Sequence, residues 1–203
     1  KMGCKAGERY TLNDLLYGLM LPSGNDAAIA IAEHFGGSVE GFAKIMNARV
    51  QELGMTHSHF VTPNGLHDTE HYTTARDMAI LTAAALQNAV FRTIFGTVSY
   101  EVCALNSGST PYVVKTTDRL IVDGVRENYT PLSYLYEYCI GGKTGSTRAA
   151  GRCLIAAAEY NGAVFIVVLL GDYASTAGMK AEEADAAISV RFQEAGDLFR
   201  YAY

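Results

Sequence analysis

The chain has 203 residues, is 49% hydrophobic and carries a net charge of −5 with a pI near 5.5. That length can bury a sizeable core in one domain or a domain with a lobe, and the composition excludes a disordered chain. The acidic balance, with no run of basic residues to track a phosphate backbone, argues against nucleic acid as a partner, and the longest apolar stretch, Ala163 to Leu170, is too short to span a bilayer.

Taken from the start, Lys1-Met2-Gly3-Cys4 has no feature of a signal peptide, and a chain that opens this way and enters a helix by Thr11 reads as mature or internal sequence. Thr11-Leu12-Asn13-Asp14 is a capping-box pattern for a first helix through Leu15, Leu16, Leu19 and Met20, stopped by Pro22. Asp26 is placed to cap a second helix, Ala27 to His34, closed by Gly36-Gly37. Ser38 opens a third, with Phe42, Ile45, Met46, Arg49, Val50 and Leu53 at helical spacing before Gly54. Residues 57 to 73 read as a loop around Pro63-Asn64-Gly65, and Thr74-Ala75-Arg76-Asp77 as a second capping box, starting a helix through Met78, Leu81 and Leu86, with one or two further turns over Val90 to Phe95.

The second half is richer in β-formers, over Thr97 to Leu105 and Tyr112 to Thr116. Its clearest element is a hairpin, Arg152 to Tyr160 and Ala163 to Leu170 around Asn161-Gly162, whose strands are so uniformly apolar that both faces are expected to be covered by helices. Lys180 to Tyr203 reads as a closing helix despite Gly196. Helices first, then antiparallel strands, then a helix give an α+β class: a mostly helical lobe over about 1–96, packed beside an antiparallel sheet and closing helix over about 97–203.

Two short polar motifs carry the chemistry, 120 positions apart (143 minus 23). Ser23-Gly24-Asn25 falls at the corner between the first two helices, where a hydroxyl can relay a proton and a carboxamide can hold a substrate carbonyl and a lysine; the competing reading is that Ser23 and Asn25 cap the following helix. Gly141-Gly142-Lys143-Thr144-Gly145-Ser146-Thr147 is sharper. Glycines around the lysine let an extended peptide approach, Lys143 offers a positive field for a carboxylate or developing oxyanion, Thr144 a hydroxyl and Ser146 an amide donor. Gly142-Lys143-Thr144 also ends like a phosphate-binding loop, but that loop needs a glycine where Glu137 stands.

The remaining reactive side chains read as structural. His57-x-His59 and His67-x-x-x-His71 can be drawn as a zinc cluster, but no His-Glu-x-x-His helix puts two imidazoles on one face, so no metal is expected. Cys4, Cys103, Cys139 and Cys153 share no Cys-x-x-Cys spacing and read mostly as small buried hydrophobes.

The combination resembles the penicillin-binding D-alanyl-D-alanine carboxypeptidases, the low-molecular-mass serine peptidases of peptidoglycan. The matching stretches are Leu12 to Ala28, Leu53 to Leu66, His71 to Leu81 and Gly141 to Leu154. The resemblance implies a β-lactamase/transpeptidase-like fold and an acyl-enzyme mechanism without a cofactor, acting on stem peptides ending in D-Ala-D-Ala and inhibited by β-lactams, outside the cytoplasmic membrane. It assigns Ser23 and Asn25 to proton relay and substrate positioning, Lys143 to electrostatic catalysis, Thr144 and Gly145 to substrate binding, and the Ser146 amide to the oxyanion hole. It also implies a Ser-x-x-Lys motif bearing nucleophile and base, which occurs nowhere in these 203 residues. The expectation is therefore a chain lacking its N-terminal segment and inactive alone, completed by that segment as a separate chain. Met55 to Leu66 has no glutamate to drive deacylation as a class A β-lactamase would, which favours a peptidase; a non-catalytic module that binds stem peptides or a partner is the alternative.

Overall fold

The structure, a computed structural model, describes residues 1–106, 108, 110–122, 133–172 and 181–203, with 181–186 and 188 described for their backbone only. The chain forms two compact units, Lys1–Thr117 and Asp118–Tyr203.

In the first unit α1 (Leu12–Met20) opens with the expected capping box: Thr11 Oγ1 accepts the Asp14 amide at 3.0 Å, and Asp14 accepts the Thr11 amide at 3.1 Å. Its apolar side chains Leu15, Leu16, Leu19 and Met20 pack on a core of Met2, Leu21, Ala27, Ile94, Val102 and Val114. Helix α2 spans Asn25–Gly36 and α3 Val39–Glu52, the latter capped by Ser38, whose Oγ accepts the Gly41 amide at 3.0 Å. Helices α4 (Ala75–Ala85) and α5 (Ala89–Phe95) meet at a sharp bend. Strands β1 (Ser99–Val102) and β2 (Tyr112–Lys115) pair antiparallel, and Val102 and Val114 point into the helical core. That packing is why the unit runs to Thr117, well past the change of composition near residue 96.

Two local readings are corrected. Asp26 does not cap α2: the helix starts one residue before it, with Gly24 at the N-cap position, and the Asp26 carboxylate reaches outward to other amides. At α4 only half of the second capping box forms. Thr74 Oγ1 accepts the Asp77 amide at 3.1 Å, but the Asp77 carboxylate accepts from the His57 amide at 2.9 Å and the Ser58 hydroxyl at 2.7 Å. A buried carboxylate takes the best donors within reach, and here the 57–73 loop supplies them. That loop is pinned again where His59 and Tyr72 exchange backbone hydrogen bonds of 2.9 and 3.0 Å.

In the second unit β3 (Cys139–Thr147), β4 (Gly151–Tyr160) and β5 (Ala163–Asp172) form an antiparallel sheet in the order β3-β4-β5. The Asn161-Gly162 turn takes φ of 49° and 80°, the pair of positive values that a two-residue hairpin turn matching strand twist requires. Helix α6 (Ala181–Ala202) lays Phe192, Ala195 and Phe199 on Leu154, Ala156, Ala158 and Val167. Burying Phe192 and Phe199 contributes about 2–3 kcal/mol each. Lys180, the expected first residue of this helix, lies outside the described residues. Helices on both faces of the hairpin were expected; α6 is the helix that covers it among the described residues of the unit, and edge strand β5 leaves Val164 and Leu170 exposed. The strand that carries Lys143 has no alternating pattern to mark its bounds in the sequence, because its glycines interrupt it.

Candidate active site

The Ser23-Gly24-Asn25 corner is built from three successive backbone conformations. After α1 the Leu21 amide donates to the Tyr17 carbonyl at 3.0 Å, and Pro22 then forbids another turn of helix. Ser23 follows at φ 59°, a left-handed conformation that costs a non-glycine residue about 1–2 kcal/mol. Gly24 is extended (φ −70°, ψ 101°), and Asn25 is already helical. The bend is closed by the Gly24 amide on the Gly18 carbonyl at 2.9 Å, and the Gly24 carbonyl accepts the first amide bond of α2, from Ala28, at 3.0 Å. The N-cap position therefore falls on neither Ser23 nor Asn25, and Ser23 is exposed.

Asp26 locks this corner from the following turn. Its carboxylate accepts the amides of Met2 at 2.9 Å, Gly3 at 2.6 Å, Cys4 at 3.0 Å and Ala27 at 3.1 Å. Burial pushes its pKa up, but the four amide bonds outweigh it and hold the carboxyl below the ordinary range. A left-handed serine held this firmly is backbone strain of the kind found at functional sites.

On β3 the glycines have separate tasks. Gly141, at φ 146°, makes the bulge that shifts the register between Cys139 and the residues after it. Gly142 leaves room for a buried carboxylate: a Cβ there would lie 2.5 Å from Asp118 Oδ2 and 2.9 Å from the Ile155 carbonyl. Past the bulge, Lys143, Thr144, Gly145 and Ser146 stand opposite Ile155, Leu154, Cys153 and Arg152 in an unbroken register. Lys143 is partly buried and its Nζ donates to the Thr144 carbonyl at 2.7 Å. Burial, helped by the charge of Arg191, brings its pKa down to about 8, so the ammonium is kept at neutral pH with little to spare. Ser146 is exposed, and β3 lies at the edge of the described sheet, the position from which an extended peptide can be added.

The structure thus gathers Ser23 and Asn25 in one unit and Lys143, Thr144, Gly145 and Ser146 along one strand of the other. Sequence reading missed the supports of that strand. Asp118 is fully buried, and burial raises its carboxyl to about 6 against the opposing Leu120 amide and Arg191 charge. Arg191 reaches from α6 to the Gly145 carbonyl at 3.4 Å. The only signal for Arg191 in the sequence is a charge beside the apolar stripe Phe192, Ala195, Phe199, which is too common to single out.

The histidines tie the 57–73 loop. His71 Nδ1 accepts the amides of Val61 at 3.1 Å and Thr62 at 3.2 Å, and burial lowers its pKa, so the lone pair is engaged inside the protein; His59 Nδ1 contacts the Glu70 carbonyl at 2.6 Å. No group of three His, Cys, Asp or Glu side chains converges as a metal site among the described residues. All four cysteines are free thiols of intermediate exposure, and burial pushes Cys139 up to about 12, far from the thiolate that reactivity needs.

Comparison with known proteins gives the same family throughout. A D-alanyl-D-alanine carboxypeptidase of a Streptomyces species is 34% identical over 186 residues, covering 89% of this chain and 60% of that protein. One from Mycobacterium tuberculosis is 36% identical over 171 residues, covering 83% of this chain and 53% of that protein. The chain therefore spans little more than half the length of these relatives. The crystal structure of a Streptomyces DD-transpeptidase superposes with a TM-score of 0.76 at 28% identity, covering 98% of this chain and 72% of that one. That of a Mycobacterium tuberculosis D-alanyl-D-alanine carboxypeptidase gives 0.72 at 31% identity, covering 95% and 67%. The fold is the mixed α+β, β-lactamase-like fold of these enzymes. A family profile described as D-alanyl-D-alanine carboxypeptidase matches residues 1–174, and the chain belongs to that peptidase family.

Proposed function

We propose that this chain supplies most of the active site of a serine-type D-Ala-D-Ala carboxypeptidase that acts on peptidoglycan stem peptides, outside the cytoplasmic membrane where that substrate lies. The observation that carries the reading is the Lys143-Thr144-Gly145-Ser146 run on an edge strand in a chain of this family. In the proposed reaction a serine Oγ attacks the carbonyl of the penultimate D-alanine, the C–N bond breaks, and the departing D-alanine amine takes a proton. Water then hydrolyses the acyl ester and regenerates the serine. Ser23 relays the proton to the leaving amine and Asn25 holds the substrate amide. Protonated Lys143 attracts the terminal carboxylate and steadies the oxyanion, Thr144 hydrogen-bonds that carboxylate, and Gly145 lets the peptide lie close. The Ser146 amide donates to the oxyanion.

The attacking serine is not among these residues, since none of them forms Ser-x-x-Lys. Under this reading the nucleophile and its base are contributed by other sequence, and the chain alone does not acylate. β-Lactams, whose strained amide mimics the substrate, trap the same ester.

The test is intact mass spectrometry after incubation with benzylpenicillin, of this chain alone and together with the polypeptide that carries Ser-x-x-Lys. A penicilloyl adduct that needs both, and that is lost with Lys143→Ala, is the expected result. A folded combination that never acquires an adduct would overturn the enzyme reading and leave a module that binds stem peptides without turnover.

A further inference from the structure

Arg191 is 8% exposed, and its guanidinium turns to the backbone of β3. Its Nη1 donates to the Gly145 carbonyl at 3.4 Å, and its Cζ lies 5.1 Å from the centre of the Phe192 ring, a cation–π distance that helps fix it. The charged groups that face it are Lys143, Arg152, Asp172 and Asp118, with the Cys153 thiol beside them, and Arg152 and Asp172 approach each other at 3.9 Å across β4 and β5. Two cations therefore hold two successive carbonyls of the same strand: Lys143 holds that of Thr144 and Arg191 that of Gly145.

The Gly145 carbonyl shares a peptide unit with the Ser146 N–H. A trans peptide is planar, so its C=O and N–H point in opposite directions, and fixing one fixes the other. A cation on the oxygen also draws electron density from the nitrogen and makes the N–H a stronger donor, the same polarisation that strengthens chains of hydrogen bonds. We propose that Arg191 is a positioning residue for the oxyanion donor: from α6 it holds the Gly145 carbonyl and, through that peptide, orients and polarises the amide of the exposed residue Ser146. The inference rests on the oxyanion role given to Ser146 above, but the contact itself can be tested without turnover.

The experiment is NMR on the isotope-labelled 203-residue chain, comparing the native protein with Arg191→Met, Arg191→Gln and Arg191→Lys. In the neutral variants the Gly145 carbonyl carbon and the Ser146 amide nitrogen move upfield together, while Ile155 and Ala157 on β4 stay in place and report that the sheet is folded. Arg191→Lys, which keeps the charge, restores at least part of the shift; a residue that only fills space would not show this rescue. Arg191→Gln serves where the Met variant does not fold. In an acylating combination, the neutral variants slow penicillin acylation about tenfold with unchanged non-covalent affinity, less than the roughly 10²–10³ loss seen when a donor is removed outright. Unmoved Gly145 and Ser146 resonances in a folded neutral variant overturn the proposal, whether or not acylation occurs. A native combination that never acylates overturns the enzyme reading alone.

Discussion

The corner that carries Ser23 and the strand that carries Lys143 are held by different physics. At the corner the cost is conformational: a left-handed serine, kept in place by backbone hydrogen bonds to Gly18 and Ala28 and by one carboxylate that gathers the amides of Met2, Gly3 and Cys4. On the strand the backbone past Gly141 is regular, and the cost is electrostatic: Lys143, Asp118 and Arg191 are all drawn out of water. The serine proposed to relay protons needs a fixed direction, which strain secured by hydrogen bonds provides. The lysine proposed to attract a carboxylate gains a field less screened than in water, which its partial burial provides.

The largest effect that separates the two regions is expected from Phe199→Ala. It empties the fully buried core beneath the sheet and should cost the second unit about 3–5 kcal/mol, read as a lower unfolding midpoint for the β4 amides, with those of α2 and α3 unaffected. Equal loss in both units would mean that they do not fold independently. Gly142→Ala comes next. Its Cβ meets Asp118 and the Ile155 carbonyl, so a loss of about 1–3 kcal/mol is expected, and a loss near zero in denaturant unfolding would show that Asp118 can move aside.

For the corner, Asp26→Ala removes the acceptor of four amides, three of them distant in the chain, and should cost about 1–2 kcal/mol, the low end for unsatisfied donors because Gly3 can be rehydrated. Hydrogen exchange at Met2, Gly3 and Cys4 should quicken while α3 keeps its protection. The native clamp has a matching pH signature. Because the folded carboxyl is held below its unfolded value, its stabilisation is present above the unfolded pKa and lost as pH falls through the folded one. The smallest effect concerns Lys143. Its folded pKa is lowered to about 8, so the ammonium dominates below pH 8 and the amine above it. Affinity for a carboxylate-bearing β-lactam should then fall at least about fivefold above pH 8, because one charge at contact is worth ~1 kcal/mol even with water-like screening. Lys143→Arg, which does not deprotonate there, should flatten the profile.

Much of the local structure was legible because its cause is local. Thr11 and Asp14 form their box because a hydroxyl and a carboxylate three residues apart meet the first turn of any helix, and Asn161-Gly162 turns because both residues tolerate positive φ. The same logic misplaced the Asp26 cap and half of the Thr74 box. Each carboxylate found distant amides, from Met2 to Cys4 and from His57, that no window around it contains. The bounds of β3 were not legible because glycine carries no periodicity: Gly141, Gly142 and Gly145 interrupt the alternation that marks a strand, and only pairing with β4 supplies the order.

The sequence by itself determined the helix boundaries set by hydroxyl caps and proline, the Asn161-Gly162 hairpin, and which side chains could do acyl-transfer chemistry. Tertiary structure alone decided where the first unit ends, that Lys143 lies on an edge strand with its pKa brought down to about 8, and that Asp118 and Arg191 support that strand from outside the motif. The division follows from range: caps and turns are satisfied within a few residues, whereas burial and charge pairing depend on segments far apart in the chain, as Gly145 and Arg191 are, 46 residues apart.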